Sequence, residues 1–340
     1  MTEVLQKKSR KAGALCTIED VARLAGVSTA TVSRYLNNPD IVARKSGEKV
    51  RAAITELNYV PNALAGSLAS STSQAVAIFV PYLADSLITD TVERLVEHFM
   101  AAGTVPLLGI TGFDEERSDA AVSAALSRRV SAVVTTGTIS ESLRSVLRAT
   151  RTTTIQMWGL APEPFDVAIG FSHKEVGRAL ARFAFENGYR RPHLVTALGT
   201  RAHLRREGFG ERWATYGVGE PTDDTVPIPT HYGHAPAVFA KAMELDPQPD
   251  LIITGSDTLA HGVIMQAQGA GLDVPGDLAV VGFGDIKIAA HVSPAITSVQ
   301  INSGKIAEEI LRVIDGRRHG IEPASNRIDC GFQIVRRESA

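Results

Sequence analysis

The chain has 340 residues, which is too long for one ordinary core and suits a small head followed by a larger, two-lobed body. Hydrophobic residues make up 44% and charged residues 21%, and no apolar run approaches the ~20 residues of a membrane span, so we expect a soluble globular protein. No apolar signal-peptide stretch follows the basic N-terminus, and two cysteines, Cys16 and Cys330, favour a reduced cytosol over a disulfide framework.

Charge is distributed unevenly along the chain. The first 75 residues contain ten basic and six acidic residues, a net charge of +4, whereas 25 basic and 31 acidic residues leave the remainder at −6. A basic module on an acidic body is expected of a head that binds a polyanion. A basic, disordered tail would explain the same charges equally well, and residues 1–16 are predicted to form a flexible basic tail.

Two short helices joined by a tight turn are predicted first. Residues 17–20 have the pattern of a capping box, in which Thr17 accepts a hydrogen bond at the start of a helix. Gly26 supplies the left-handed backbone that ends this helix. Ser28 is placed to cap a second helix that runs to Asn37.

A third helix completes this head. Ala22 is small where two helices cross, Gly26 lies in the turn, and Val32 lies between the helices, which is the spacing of a helix-turn-helix. The third helix has an apolar face at helical spacing, formed by Val50, Ala53, Ile54 and Leu57. We therefore predict a three-helix, helix-turn-helix DNA-binding domain over residues 17–60.

The second helix of such a motif enters the major groove of DNA. Arg34 can form a fork onto guanine, and Ala30 and the Thr29 methyl group can contact a thymine methyl group. Side chains that suit phosphate contacts would fix the register. A solvated helix surface is the alternative interpretation. The candidate DNA-binding residues of the head are Thr17, Ser28, Thr29, Ala30, Thr31, Ser33, Arg34, Asn37 and Tyr59.

Residues 61–74 are predicted to be a hinge helix and linker. Pro61 and Asn62 suit a helix start, but the segment is too short to be stable alone, so a helix that forms only against DNA is expected. Asn62, Ala65 and Leu68 are then further candidate DNA contacts, with Leu68 as an apolar wedge in the minor groove. A plain linker is the alternative.

From residue 75 the pattern changes to unalternated apolar strands between helices, which is typical of parallel sheets in an α/β body. The pattern then repeats, so two doubly wound lobes with a ligand cleft between them are expected. The predicted strands are 75–80, 105–110, 130–135, 153–157, 193–196, 251–254, 278–282 and 298–301.

Motifs of catalysis and cofactor binding are not found in the sequence. Neither a phosphate-binding loop, nor a dinucleotide fingerprint after a strand, nor a nucleophile elbow is present. His231 and His234 lie three residues apart without a completing ligand, and a loop surface is expected there instead of a metal site. We therefore expect no enzyme activity, no cofactor and no metal.

The segments 17–28 (TIEDVARLAGVS), 30–34 (ATVSR) and 58–62 (NYVPN) resemble the lactose-repressor (LacI/GalR) family of bacterial regulators. The resemblance covers about residues 17–337. It implies a cytoplasmic homodimer that binds a near-palindromic operator in double-stranded DNA. One departure lies in the third helix, where Ala43 replaces the usual Ser or Thr cap and Gly47 lies in the first turn. Each is expected to weaken that helix end by ~1 kcal/mol.

The resemblance also implies a periplasmic-binding-protein-like body, residues 75–340, whose chain crosses between the lobes three times. We predict the first lobe at about 75–170 and 300–327. The second lobe is predicted at about 171–297 and 328–337. No further leucine heptad follows, so a dimer without a tetramer-forming tail is expected.

The cleft candidates follow mainly from the same resemblance. Arg205 matches a family arginine that points into the cleft, where its fork suits hydroxyls or a carboxylate. Trp158 can face a sugar ring or pack in the core, and Asp257 is expected to cap a helix instead of binding ligand. The candidate effector-binding residues are Arg205, Trp158, Ser256, Asp85, Ser86, Phe283 and Gly284.

Gly284 is a departure, since the family usually has an effector-binding acid at this position. Loss of a carboxylate beside Arg205 reduces repulsion toward an anionic ligand. Together with Met157-Trp158 and the stretch 170–173, it makes the body most similar to the gluconate-operon-repressor branch. A sugar or sugar acid is the expected effector.

Four functions remain open at this point. The leading hypothesis is a repressor released from its operator by a metabolite. A regulator of the same fold that needs its ligand as a co-repressor is the second. A sugar-binding transport protein conflicts with the basic head, and an enzyme on a Rossmann-like body conflicts with the missing nucleotide loops.

Overall fold

The computed structural model describes residues 16–60, 75–83, 88–137 and 139–340. The predicted tail before Cys16, the hinge at 61–74, and the candidates Asp85 and Ser86 lie outside these ranges. The chain divides into two compact units, a head within residues 1–73 and a body within residues 74–340. No helix among the described residues is long and apolar enough to span a bilayer.

The head contains three helices, α1 (Ile18–Ala25), α2 (Thr29–Asn37) and α3 (Arg44–Leu57), with a 3₁₀ turn at Pro39–Ile41. Thr17 and Asp20 form the predicted capping box at α1. Gly26 ends α1 at a φ of 65°, which is the left-handed conformation that the turn requires. Ser28 caps α2 through a hydrogen bond from the Thr31 amide to its hydroxyl.

The core of the head lies where the three helices meet. Its buried residues are Val21, Ala22, Ala25, Val32, Val50 and Ala53. Ala43 precedes α3 without a side-chain cap. Packing explains the glycine at position 47, because a Cβ atom there would lie 3.1 Å from the Tyr35 ring. The small residue therefore lets α2 and α3 pack closely, which offsets its cost in helix propensity.

The first lobe of the body is a six-stranded parallel sheet in the order β11-β5-β4-β3-β1-β2. Its strands are β1 (Val76–Val80), β2 (Leu107–Ile110), β3 (Ala132–Thr135), β4 (Thr153–Met157), β5 (Val167–Gly170) and β11 (Arg327–Asp329). Its helices are α4 (Thr89–Ala101), α5 (Glu115–Leu126), α6 (Glu141–Thr150) and α11 (Ser303–Arg318). Alternate residues of β1 point to opposite faces of the sheet. One set packs against α4 and α11 and the other against α5 and α6, so this strand is buried on both faces.

The second lobe has a sheet in the order β12-β10-β9-β8-β6-β7, in which only β12 is antiparallel. Its strands are β6 (Pro192–Ala197), β7 (Thr222–Val226), β8 (Leu251–Thr254), β9 (Ala279–Gly284), β10 (Thr297–Ile301) and β12 (Phe332–Val335). Its helices are α7 (His173–Glu186), α8 (Thr200–Ala214), α9 (Ala235–Met243) and α10 (Asp257–Gly269), with 3₁₀ turns at Tyr232–His234 and Lys287–Ala290.

The chain passes between the two sheets three times, after β5, after β10 and after β11. β10 pairs within the second sheet through Ile301, and β11 pairs within the first sheet through Asp329. The approximate lobe boundaries at 300 and 327 lie within two residues of these strand ends.

Helices α7 and α8 cross at a very close approach. A Cβ atom at Gly208 would lie 2.0 Å from the carbonyl oxygen of Lys174, and one at Gly177 would lie 2.0 Å from that of Arg205. No side chain fits at either position. The two glycines therefore set the distance at which α8 is held against α7.

Gly208→Ala is expected to destabilise the body by at least about 1–3 kcal/mol, because the clash is with backbone and no side-chain movement relieves it. Gly210→Ala is the matched control. It lies on the same helix and meets nothing within 4 Å, so it is expected to stabilise by about 0.5–1 kcal/mol. Urea unfolding followed by tryptophan fluorescence measures both, since Trp213 is buried in α8. Equal effects of the two substitutions would contradict the close-approach explanation.

Candidate DNA-binding surface and ligand cleft

The N-terminal half of α2 presents a polar surface on the head. Thr29, Ala30 and Arg34 are exposed, and Thr31 and Ser33 are half-buried. Among the described residues, no carboxylate lies within 4 Å of the Arg34 guanidinium, whereas Arg23 and Arg44 pair with Asp20 and Glu48. Arg34 therefore retains its charge and its fork for an external partner.

Thr17, Ser28 and Tyr59 are engaged in local structure. The Thr17 hydroxyl lies 3.1 Å from an Asp20 carboxylate oxygen, and the Ser28 hydroxyl lies 2.9 Å from that of Thr31. Tyr59 packs against the head core, and partial burial raises the pKa of its hydroxyl. Asn37 ends α2. Asn62, Ala65 and Leu68 lie outside the described residues.

A cavity of about 1090 Å³ opens between elements of both lobes. Trp158 and Gly284 line it, together with Asp285, Ile286 and Gln300. Arg205, Phe283 and Ser256 are not part of this lining. Phe283 directly precedes Gly284, however, and Arg205 lies over Phe283 with its guanidinium carbon 4.4 Å from the ring centroid. Arg205 is therefore adjacent to the cavity, behind an aromatic ring.

Trp158 occupies a backbone conformation that is rare for its type, with a φ of 66°. Its side chain is only 4% exposed, its indole N–H donates to the Thr91 hydroxyl at 3.1 Å, and its ring packs edge-on against Phe171. The structure thus places most of the ring in the core of the first lobe. Only the remaining edge of Trp158 faces the cavity.

A short chain of hydrogen bonds links Arg205 to the first lobe. Arg205 Nη1 donates to His173 Nδ1 at 3.0 Å, and His173 Nε2 lies 3.0 Å from the Trp158 carbonyl oxygen. Arginine can only donate and a carbonyl can only accept, so His173 must be neutral with its proton on Nε2. Burial, followed by the charges of Arg205 and Arg201, holds the pKa of His173 well below its usual value. The motif 170–173 contained this histidine, but nothing in the sequence showed its partner.

Arg201 is a second cleft arginine that the sequence analysis missed. Its Nη2 donates to the carbonyl oxygens of Thr136 and Met157, at 2.7 and 3.0 Å, which follow β3 and end β4 of the first lobe. Arg201 lies four residues before Arg205, so the two share one face of α8. The sequence did contain a signal for Arg201, namely two arginines four residues apart in a helix that follows a strand.

Arg201 and Arg205 are not paired with an acidic side chain of the described residues. In the described part of the chain, no carboxylate lies within 4 Å of Arg201 or Arg205. Burial lowers the pKa of both guanidinium groups to about 10, and the charge of Arg201 further lowers that of Arg205. Both side chains nevertheless keep some exposure to solvent. Desolvated, unpaired cations are costly, and an anionic ligand would remove that cost.

Two acidic residues near the cavity, Asp257 and Asp285, have internal partners. Asp285 pairs with Arg337 at 2.6 Å and accepts a hydrogen bond from Gln300 at 2.6 Å. Asp257 accepts hydrogen bonds from the Ser298 hydroxyl and the Ile286 amide, at 2.5 and 2.8 Å, and burial raises its pKa to about 6. These carboxylates therefore do not neutralise the two cleft arginines.

The prediction that Asp257 caps α10 is wrong by one residue. Ser256, and not Asp257, caps this helix, and its hydroxyl also donates to the Thr230 carbonyl oxygen at 3.2 Å. Ser256 is 5% exposed. Its side chain is thus committed to local structure, which conflicts with its predicted place in the lining of the cleft.

Gly284 adopts a φ of 121°, in the region that side chains rarely tolerate. A carboxylate side chain at this position would strain the present backbone, so the absence of an acid is built into the conformation of the loop. In the described residues, no group of three or more His, Cys, Asp or Glu side chains is placed to hold a metal ion.

Comparison with known proteins gives consistent matches. Residues 17–62 match the model of the lacI family of bacterial regulatory proteins, and residues 181–340 match a periplasmic binding protein-like domain. The chain is 31% identical over 330 residues to the HTH-type transcriptional regulator GntR of Pseudomonas aeruginosa, which covers 95% of both chains.

Solved structures share the fold over nearly the whole chain. A LacI-family transcriptional regulator from Silicibacter pomeroyi aligns with a TM-score of 0.84 and 27% identity, covering 95% of this chain and 99% of that one. The lac repressor dimer bound to operator and an anti-inducer aligns with a TM-score of 0.83 and 22% identity, covering 96% and 99%. The predicted head and two-lobed α/β body with parallel sheets are confirmed.

Proposed function

The chain belongs to the LacI family of bacterial regulatory proteins, whose members are DNA-binding transcriptional regulators and not enzymes, and we propose that a sugar acid bound between its lobes controls its operator affinity. The observation that carries this proposal is the pair Arg201 and Arg205, neither of which has a carboxylate within 4 Å in the described residues. They contact Met157 and Phe283, the residues that directly precede Trp158 and Gly284 in the cavity lining. A neutral sugar would leave both charges unpaired, whereas a carboxylate forms charge-assisted hydrogen bonds with them. A gluconate-like polyhydroxy acid supplies both the charge and the hydroxyl groups.

For DNA binding, we propose that α2 lies in the major groove with Arg34 facing base edges. Exposed Thr29 and Ala30 precede it by one helical turn, so the three share the leading surface of α2. Two heads would then bind the two halves of a near-palindromic operator. The lac repressor dimer that shares this fold is bound to operator in its solved structure.

The coupling between sites is a matter of differential affinity. A ligand that binds one arrangement of the lobes better than another shifts the population toward it, and the DNA affinity follows if only one arrangement suits the operator. We propose that the effector favours the arrangement with low operator affinity. Gel shifts with and without gluconate distinguish this from co-repression, in which ligand strengthens the DNA complex.

We also propose that the protein is a homodimer joined through the first lobe. β2 is an edge strand whose Leu107, Leu108 and Ile110 are 39%, 45% and 50% exposed, and Met100 and Val105 nearby are still more exposed. Exposed apolar edge strands are uncommon on monomers because they associate. A second copy of the same surface would cover them by two-fold symmetry.

The effector proposal predicts that gluconate binds the full-length protein more tightly than glucose or another neutral hexose. Isothermal titration calorimetry measures both affinities. Arg205→Gln is expected to weaken gluconate binding by about 10- to 100-fold, since a hydrogen-bonded charge is lost. Binding of neutral sugars alone would contradict a sugar-acid effector but would leave the DNA-binding function intact.

The DNA-binding proposal predicts that Arg34→Ala abolishes sequence preference. Duplexes selected by the wild-type protein from a random pool serve as the operator, and binding is compared with that to random DNA. The variant is expected to lose about 1–3 kcal/mol on the selected sequence, while salt-sensitive binding to random DNA persists. Arg34→Lys keeps the charge but not the fork and controls for electrostatics. Equal losses on both DNAs would count against base recognition.

The dimer proposal predicts that Leu108→Lys and Ile110→Lys produce monomers, because each places a charge inside a symmetric apolar contact. Sedimentation velocity measures the state of association. Ile321→Lys is the control, since Ile321 is 64% exposed but does not lie on the β2 edge. Unchanged dimers in both edge variants would place the interface elsewhere.

A further inference from the structure

The guanidinium group of Arg201 bridges the two lobes. Arg201 belongs to α8 of the second lobe, yet its two hydrogen bonds go to carbonyl oxygens of Thr136 and Met157 in the first. Both bonds come from Nη2. Strands β3 and β4 are neighbours in the first sheet, so a single nitrogen holds the carboxyl ends of two adjacent strands.

The rest of this guanidinium group has no hydrogen-bond partner among the described residues. Arginine has five N–H donors, and the two bonds of Arg201 account for both hydrogens of Nη2. Nε and Nη1 make no hydrogen bond to any described residue. Met157, which accepts one of the bonds, directly precedes Trp158 in the lining of the cavity. The unused edge of Arg201 therefore lies in the neighbourhood of the cavity.

Three polar groups converge here. Among the described residues, Arg205 is held by His173 and by the Phe283 ring, and only one of its nitrogens makes a hydrogen bond. Tyr82, in the loop after β1, lies close to both arginines, whose charges oppose the burial that raises the pKa of its hydroxyl. The two guanidinium groups and the phenol therefore lie near one another, and no carboxylate among the described residues lies within 4 Å of either arginine.

From this arrangement we infer that Arg201 binds the anionic group of the effector with one edge of its guanidinium and holds the first lobe with the other. The inference rests on the proposed sugar-acid effector and assigns a role to a residue beyond Arg205. Without an anion, two like charges on one helix face repel each other, and each is partly desolvated. With a carboxylate between them the repulsion is replaced by attraction, so a bound anion strengthens the interlobe bridge.

This role makes Arg201 a determinant of charge specificity as well as of lobe closure. A neutral polyol can fill the cavity, but it cannot neutralise the pair that Arg201 forms with Arg205. We therefore expect the loss of Arg201 to weaken binding of the acid strongly. Binding of the neutral analogue is expected to change less, so the preference for the acid decreases.

The test compares the full-length wild-type protein with Arg201→Gln and Arg201→Lys. The probes are gluconate and its neutral counterparts gluconamide and sorbitol, with affinities measured by calorimetry. Arg201→Gln is expected to weaken gluconate binding by about 10- to 100-fold and to change binding of the neutral probes by less than about 3-fold. Arg206→Gln is the matched control. Arg206 lies on the same helix but faces Asp223, 3.7 Å away, and its substitution should leave all affinities unchanged.

The Arg201→Lys variant distinguishes the effect of the positive charge from the effect of the hydrogen bonds that bridge the lobes. Lysine keeps the positive charge but cannot bond two carbonyl oxygens and an anion through a planar fork. We expect it to retain part of the preference for gluconate while losing the gluconate-induced decrease in radius of gyration, which small-angle X-ray scattering measures in the wild-type protein.

Three outcomes overturn the inference. If Arg201→Gln weakens gluconate and neutral probes equally, Arg201 is only a structural tie between the lobes. If it leaves the gluconate affinity unchanged, Arg205 alone binds the anion. If the wild-type protein itself shows no preference for gluconate over gluconamide, the sugar-acid effector fails together with the inference, while selective DNA binding is judged separately.

Discussion

The hydrogen bond from Arg205 to His173 is the contact on which the organisation of the ligand cleft depends. It fixes the tautomer of a buried imidazole, and that imidazole in turn donates to the Trp158 carbonyl oxygen of the first lobe. A protonated His173 would present two donors, one of them against an arginine, and the chain of bonds would break. The neutral ring therefore aligns the effector candidate Arg205 and ties its orientation to the end of β4.

This contact requires that α8 be held very close to α7. His173 begins α7 and Arg205 lies in the middle of α8, so the distance between the helices decides whether the two side chains meet. The glycines at the crossing set that distance at direct backbone contact. A packing feature of the second lobe thus determines the geometry of a polar site that extends to the first.

Charge balance gives the cleft its chemical character. The carboxylates of Asp257 and Asp285 are satisfied by Ser298, Arg337 and the Ile286 amide, and the positive φ of Gly284 disfavours a further acidic residue there. The arginines have no such partner among the described residues. Two arginines without a carboxylate partner suit the anionic effector that we propose, whose binding would be read out as a change in DNA affinity.

Local patterns in the sequence were sufficient for the head and for the fold class. The capping box at Thr17, the turn at Gly26 and the cap at Ser28 each involve residues within four positions of one another, and all three form as predicted. Buried parallel strands were equally clear from their unbroken apolar runs. β11 and β12 were not predicted, because these short strands depend on pairing with strands far away in the chain.

The ligand cleft was determined only by the tertiary structure. The sequence identified Arg205, Trp158 and the unusual Gly284, but it could not show that Trp158 packs into the core, that Ser256 is committed to a helix cap, or that Arg201 bonds to two strands of the other lobe. The physical reason is the distance along the chain between the residues that interact. Caps, turns and helix faces follow from neighbours along the chain, whereas the partners of a charged side chain in a cleft come from segments 32 to 65 residues away and are chosen by how whole lobes pack.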